Sequence, residues 1–429
     1  MSRSASSIEA IVKGRLCHGC GVCAGLFPDA ISMVDHEELG RRPIVKHGCH
    51  VESRAAAAVC SGARQTSVNL AASDGDRSAV AGQTLDRWGA VLEVWEGHAV
   101  DPEIRFHGSS GGVVTALAHF SLAEQCADAV IHTKADSADP AKCQSTISRN
   151  RSELLSGAGS RYAPASPGEQ LANFKAENDE RIVFIGKPCD VASLRRAQSA
   201  DPKLAEQVTL VLGIFCAGTP STKASRLLIH RLAADAKMPR VDRFRYRGQG
   251  WPGRMTASMI TDDVVSAENS TTYDIGWGQF LQPFRPWRCR LCADHGAEHA
   301  DIAIGDPWYD QPTGQSAGRS LIVVRTEHGR AMLHAAMAAG YLVADQRDAE
   351  DIDRAQPNLV QTRSAYFGRA LATRMIGLPS PIYAGSPLFR LWRERSFVQK
   401  LRDVLGSLKR LISRRLYRAE KLPVPGEWR

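Results

Sequence analysis

No stretch of this 429-residue sequence approaches the ~18 consecutive apolar residues that a membrane span needs. Its first residues hold neither the apolar core nor the small-residue cleavage site of a secretory signal, so a soluble, cytoplasmic chain is expected. Charge of one sign is also missing from most of the chain. Residues 388–429 hold 12 of the 54 basic and 4 of the 46 acidic residues, which leaves 42 of each in residues 1–387 and places the whole net charge of +8 in the tail. With a neutral body and no recognised nucleic-acid fold, no nucleic-acid partner is expected. No Ser-His-Asp set or carboxylate pair stands out either, so no catalytic side chain is assigned; Asp306, after a short strand, is an acidic candidate only.

What is present in unusual number is cysteine. Eleven occur, and a reducing compartment makes structural disulfides rare, so metal ligation is the economical explanation. Cys17, Cys20 and Cys23 have the C-x2-C-x2-C spacing that wraps three corners of a 4Fe-4S cubane. A two-cluster ferredoxin would place a fourth cysteine at 27, where this chain has Phe27 followed by the retained Pro28. In that fold the fourth cysteine of each motif serves the other cluster. Taking Cys60 as the fourth of a second motif, its companions would be His50, Ser53 and Ala56, none of them cysteine. One cluster is then lost whole, and Cys17, Cys20, Cys23 and Cys60 retain the other. Cys49, one residue out of register, remains the competing fourth ligand. A zinc site is the alternative, although zinc usually pairs two separated C-x2-C knuckles.

A polar stretch over 66–88 reads as a linker between a ferredoxin-like unit (1–65) and an α/β domain (89–375). Within the latter, Gly108-Ser109-Ser110-Gly111-Gly112 precedes an apolar helical pattern with Thr115 in its first turn, a helix start that can hold a phosphate or can be no more than a cap. Two apolar strands follow, one ending at Gly186-Lys187-Pro188-Cys189 and one at Cys216, and sites in α/β sheets collect at such strand ends. Cys289 and Cys292 form another close pair. Lone strand-end cysteines are also commonly buried as small hydrophobes. Arg243, Arg245 and Arg247 alternate beside aromatics, an anion site or simply the wet face of a strand. In the tail (376–429), apolar residues from Leu388 to Ile412 recur at three- and four-residue steps. They predict a basic amphipathic helix over 388–418, packed on its own domain or docking on a partner or membrane surface.

In this order the motifs resemble the coenzyme F420 hydrogenase/dehydrogenase beta-subunit family, here as a bacterial member, over roughly residues 15–375. The carriers are Arg105 to Leu117, Gly159-Ser-Arg-Tyr162, Phe184 to Cys189, Cys216 to Ser221, and Cys289 to Asp294 running on to Asp306. The resemblance implies an α+β or α/β fold with a mixed sheet. It implies FAD with its diphosphate near Ser109–Gly112 and its ring near Gly186, Lys187 and Pro188, and a second cluster on Cys189, Cys216, Cys289 and Cys292. The family often has Thr and Gln around the Pro-Cys, where this chain has Lys187 and Asp190. Lys187 is either a partner of a reduced flavin or a solvated turn residue. The expected function is an iron-sulfur flavoprotein oxidoreductase fed by ferredoxin or another redox protein. Alternatives are an F420-dependent oxidoreductase subunit, a non-catalytic electron-transfer or scaffold subunit, and a zinc-only interaction protein.

Overall fold

The structure is a computed structural model that describes residues 6–67, 83–174, 179–309, 316–418 and 422. Eight strands form its central sheet: β1 (Glu93–Ala99), β2 (Ala129–Ala135), β3 (Cys143–Ser148), β4 (Ile182–Gly186), β5 (Val208–Ile214), β6 (Ile302–Gly305), β7 (Ser320–Val324) and β8 (Leu342–Arg347). Their order is β8-β1-β7-β6-β5-β4-β2-β3. The middle four, β6, β5, β4 and β2, are parallel, and antiparallel pairings flank them on both sides. The sheet is therefore mixed, as expected.

The centre is parallel because both of its faces are covered, and its strands are near-continuous apolar runs. Every residue of β4 and of β7 is buried. Alternate residues feed two cores: Phe184, Val211 and Val323 pack with Val191 and Leu194 of the helix Pro188–Gln198, while Val183, Leu212 and Ile322 pack with Leu117 and Leu333 of the helices Val113–Ala123 and Glu327–Ala338. Each such side chain contributes roughly 1.5–3 kcal/mol by leaving water. The carboxyl ends of β2, β4, β5 and β6 share one edge, and the turn after β1 joins them there.

The N-terminal unit holds a short helix (Ile8–Lys13) capped by Ser7, a hairpin (Ile31–Val34 with Arg42–Val45) and a helix His50–Val59. It is fused to the α/β body: Cys20 and Val22 belong to the same core as β4. Gly25 permits the junction, since a Cβ there would stand 2.0 Å from the carbonyl oxygen of Gly168. The strand Arg64–Thr66 pairs in parallel with Ile382–Ala384. The expected linker is shorter than 66–88 at its far end, because Gln83–Trp88 is a helix whose Trp88 is buried and donates to Asp353 at 2.6 Å; residues 68–82 lie outside the described residues.

A three-stranded sheet (Arg243–Arg245, Arg254–Thr261, Val264–Thr272) packs with the helix Thr222–Asp235. The tail forms two helices, Leu388–Arg393 and Phe397–Ser413, where one was expected. Ser396 caps the second through a reciprocal bond with Gln399, which makes the break. The second helix docks through Asp403, Ser407 and Leu411, and Asp403 pairs with Arg395 at 2.8 Å. Val398, Leu401, Leu405 and Ile412, from the apolar face expected either to pack inward or to dock outward, are exposed. No helix among the described residues is long and apolar enough to cross a membrane.

Candidate functional site

Cys17, Cys20, Cys23 and Cys60 line one small apolar cavity with Ile8, Ile11, Val22 and Met33. Gly19 and Gly21, both at positive φ, let the loop turn tightly enough to bring the first three together. The helix His50–Val59 delivers Cys60 at its C-terminal end, while Cys49, at its start, stands outside the cavity lining. Burial, then the neighbouring Cys20, Cys17 and Cys60, push the Cys23 thiol well above the usual range. Four sulfurs in a dry cavity lack only a cation to balance them as thiolates, and bound iron deprotonates coordinating thiols.

Cys189, Cys216, Cys289 and Cys292 also come together, from three separate parts of the chain. The first opens the helix after β4, the second follows β5, and the pair lies on and just after the short helix Trp287–Arg290. Burial leads in raising the thiols of Cys189, Cys216 and Cys292, with Cys216 pushed to about 12 and Cys292 to about 11, and neighbouring cysteines add to it. Charged side chains crowd this set. Lys187 pairs with Asp190 at 2.7 Å; burial opposes its charge, but Asp190 and Cys189 hold its amine above the usual range. It is thus tied down rather than solvated. Among the described residues no group of three or more His, Cys, Asp or Glu is arranged to hold a single metal ion.

Short contacts bridge the two sets. Cys20 Sγ donates to Ser193 Oγ at 3.4 Å, Ser193 Oγ lies 2.8 Å from Ser61 Oγ, and Ser61 Oγ donates to the carbonyl of Cys189 at 3.1 Å. Arg288, beside Cys289, donates to the carbonyls of Leu16 and Gly62 at 3.1 and 3.2 Å, next to Cys17 and Cys60.

The second set opens onto a wide cavity at the sheet edge, which Cys216 helps to line. At one end stands the first turn of the helix Val113–Ala123. Its N-cap, Gly112, has φ +74° and offers no capping side chain, so the first N–H groups face the cavity free. Ser109, Ser110, Thr115, Gly186 and Lys187 line this space as expected. Gly111 and Pro188 do not. Gly111 is pressed against β7, donating to Ser320 Oγ at 2.9 Å, and Pro188 is buried at the start of its helix. The opposite wall is aromatic: Tyr162 packs on Trp277 (ring centres 4.9 Å apart) and Tyr273 stacks on Trp308 (5.0 Å).

Residues 94–172 match the N-terminal region of the family described as "Coenzyme F420 hydrogenase/dehydrogenase, beta subunit", and residues 179–350 match the C-terminal region of the same family. The chain belongs to this family. It is 25% identical over 308 residues to the coenzyme F420 hydrogenase subunit beta of Methanococcus voltae, covering 66% of this chain and 95% of the relative. It is 27% identical over 257 residues to the F420-dependent formate dehydrogenase 1 subunit beta of Methanococcus maripaludis, covering 58% and 60%. A chain of the F420-reducing NiFe hydrogenase complex from Methanosarcina barkeri has the same fold, with TM-score 0.53 and 18% identity over 72% of this chain and 99% of that one. These organisms are archaea, so the matches carry the family and not the bacterial membership expected above.

Several pocket residues of this family member carry only a weak signal in the sequence. Arg161 lines the cavity with a buried Nε that has no partner, and its only flag was the Gly159-Ser-Arg-Tyr162 motif. Arg247 is 2% exposed, lies beyond the end of its strand, and forms a two-pronged ion pair with Asp306 (2.7 and 2.9 Å). The wet-face reading of the alternating arginines therefore fails for Arg247. Asp306 is held by Arg247 and by Trp251 Nε1 at 2.8 Å, which leaves it an orienting role and not that of a free acid.

Proposed function

We propose that this protein is an iron-sulfur flavoprotein oxidoreductase in which a 4Fe-4S cluster on Cys17, Cys20, Cys23 and Cys60 exchanges electrons with a second on Cys189, Cys216, Cys289 and Cys292, and thence with FAD in the large pocket. The observation that carries the reading is the alignment of three compartments, since the bridge through Ser61 and Ser193 joins the cysteine sets and Cys216 belongs to both the second set and the pocket wall. Each cysteine of a cubane binds a different iron, so the sets need not converge on one point as zinc ligands do.

The pocket suits a dinucleotide flavin chemically. The free helix N-terminus and the unpartnered Arg161 Nε would receive the diphosphate, and Tyr162, Tyr273, Trp277 and Trp308 offer flat faces to a ring system. Bound flavin would supply the exchange between one-electron and two-electron chemistry. The protein keeps water from the first cysteine set by burying it and holds Lys187 charged beside the second. Eleven free cysteines fit a reducing, cytoplasmic setting and a ferredoxin-type partner.

Anaerobic purification with iron, sulfide, zinc and flavin quantitation tests this. About eight irons and one FAD per chain are expected; zinc without iron or flavin would overturn it. Reduction of the bound flavin by reduced coenzyme F420 separates the F420-dependent reading, which the family's named members favour, from a ferredoxin-only one.

A further inference from the structure

Beside Cys289 five arginines gather at one surface. Arg285 and Arg290 come from the segment around the Cys289 helix, Arg369 from the helix Tyr366–Met375, and Arg410 and Arg414 from the tail helix and its end. They converge on carbonyl oxygens: Arg285 and Arg290 on Gln282 (3.2 and 3.5 Å), Arg414 on Pro283 (3.0 Å), Arg369 on Arg290 (3.0 Å). Among the described residues, Arg285, Arg290, Arg410 and Arg414 form no ion pair with a carboxylate, and Arg290 Nε has no partner at all. Arg414 is exposed, and Arg285, Arg290, Arg369 and Arg410 are half-buried, so the cluster faces outward.

The cluster abuts the second cysteine set. Arg285 Cδ and Cys289 Cβ both crowd Gly218, at 2.6 and 3.2 Å from where its Cβ would be, and the chief attractions on Arg285 come from Cys289 and Cys216. We propose that these arginines are the docking patch of an acidic protein electron carrier, which delivers electrons at Cys289. This rests on the electron-transfer reading above. Each encounter moves one electron: the carrier's redox centre is oxidised by one, the iron site is reduced by one, and no bond or proton changes hands. Uncompensated guanidiniums at a redox centre attract an acidic surface over a distance and orient it, an effect on association rate that salt removes.

The test is stopped-flow reduction of the anaerobic holoprotein by a small acidic two-cluster ferredoxin, at low salt and at ~0.5 M salt, where the screening length is a few ångströms. Arg410→Glu/Arg414→Glu is compared with Arg402→Glu/Lys409→Glu, an equal charge change on exposed positions of the same helix outside the patch. The patch variant is expected to lower the second-order rate about tenfold at low salt and to converge with the parent at high salt; the comparison variant is expected to stay near the parent. Equal slowing by both variants would overturn the patch. So would lost iron or a shifted cluster potential in the patch variant, which would make the arginines counter-ions of the metal centre. Weakened binding to phosphatidylglycerol vesicles with carrier kinetics intact would assign the surface to an anionic bilayer instead. If the holoprotein proves to hold no iron, the electron-transfer reading fails, and calorimetric binding of the same ferredoxin still decides the patch.

Discussion

The first cysteine set is enclosed by Ile8, Ile11, Val22 and Met33, whereas the second has Lys187, Arg285, Arg288 and Asp294 around its sulfurs. Adding an electron to a four-thiolate cluster adds negative charge. Apolar walls give that charge little to interact with beyond Arg288 and Arg196 near Cys60, while the more numerous guanidinium and ammonium groups around the second set stabilise it. If both sets hold clusters as proposed, the second would be the more positive of the two, and electrons entering at the first would pass downhill toward the pocket.

The largest test of this contrast concerns the ligands. Cys60→Ser should remove about four irons per chain and Cys49→Ser none, and Cys289→Ser should empty the second set alone. If Cys49→Ser loses the iron, the first site has been drawn around the wrong sulfur. Next comes acid stability, which belongs to the pocket side of the molecule. His132 lines the pocket beside Ser148 Oγ (2.7 Å), and burial lowers its ring from 6.5 to about 4. Between those values the unfolded chain takes up a proton that the folded one refuses, so stability is full above pH 6.5 and is lost as pH falls toward 4, by up to about 3 kcal/mol. His132→Gln should flatten that slope in denaturant titrations across pH.

A smaller effect is expected from Arg285→Gln. In potentiometric titration followed by electron paramagnetic resonance, it should shift only the second wave, downward by on the order of 50 mV, little more than 1 kcal/mol for one electron. A shift of the first wave as well would show that the two surroundings are not independent. The smallest change is expected from Ser61→Ala/Ser193→Ala, which keeps both iron sets but should slow electron passage between them a few-fold, read by flash reduction of the flavin.

Much of this was legible in the sequence where the information is local. The spacing of Cys17, Cys20 and Cys23 is a loop property, and the strand ends at Gly186 and Cys216 announce themselves by apolar runs that stop abruptly. What escaped is assembled from a distance. The aromatic wall takes Tyr162, Tyr273 and Trp308 from different elements, and Arg247 meets Asp306 across 59 residues of sequence. The tail stayed open for a related reason: periodicity gives a helix its faces but not its partner. Here the helix lies so close over Gly368 that Asp403 fits beneath it, the glycine's Cβ position being 2.8 Å from the Asp403 Cβ. The exposed Phe397, Val398, Leu401 and Leu405 are left outside.

The parallel pairing of Arg64–Thr66 with Ile382–Ala384 also has a bearing on the protein's birth. Arg15, beside the first cysteine loop, donates to the carbonyl of Leu416 at 2.7 Å. Residues beside the first cysteine loop are thus tied to residues 401 positions further along the chain. The surroundings of the Cys17–Cys60 set are complete only once residues 382–416 have been made, and a cluster there would be loaded into a chain already folded around its sheet.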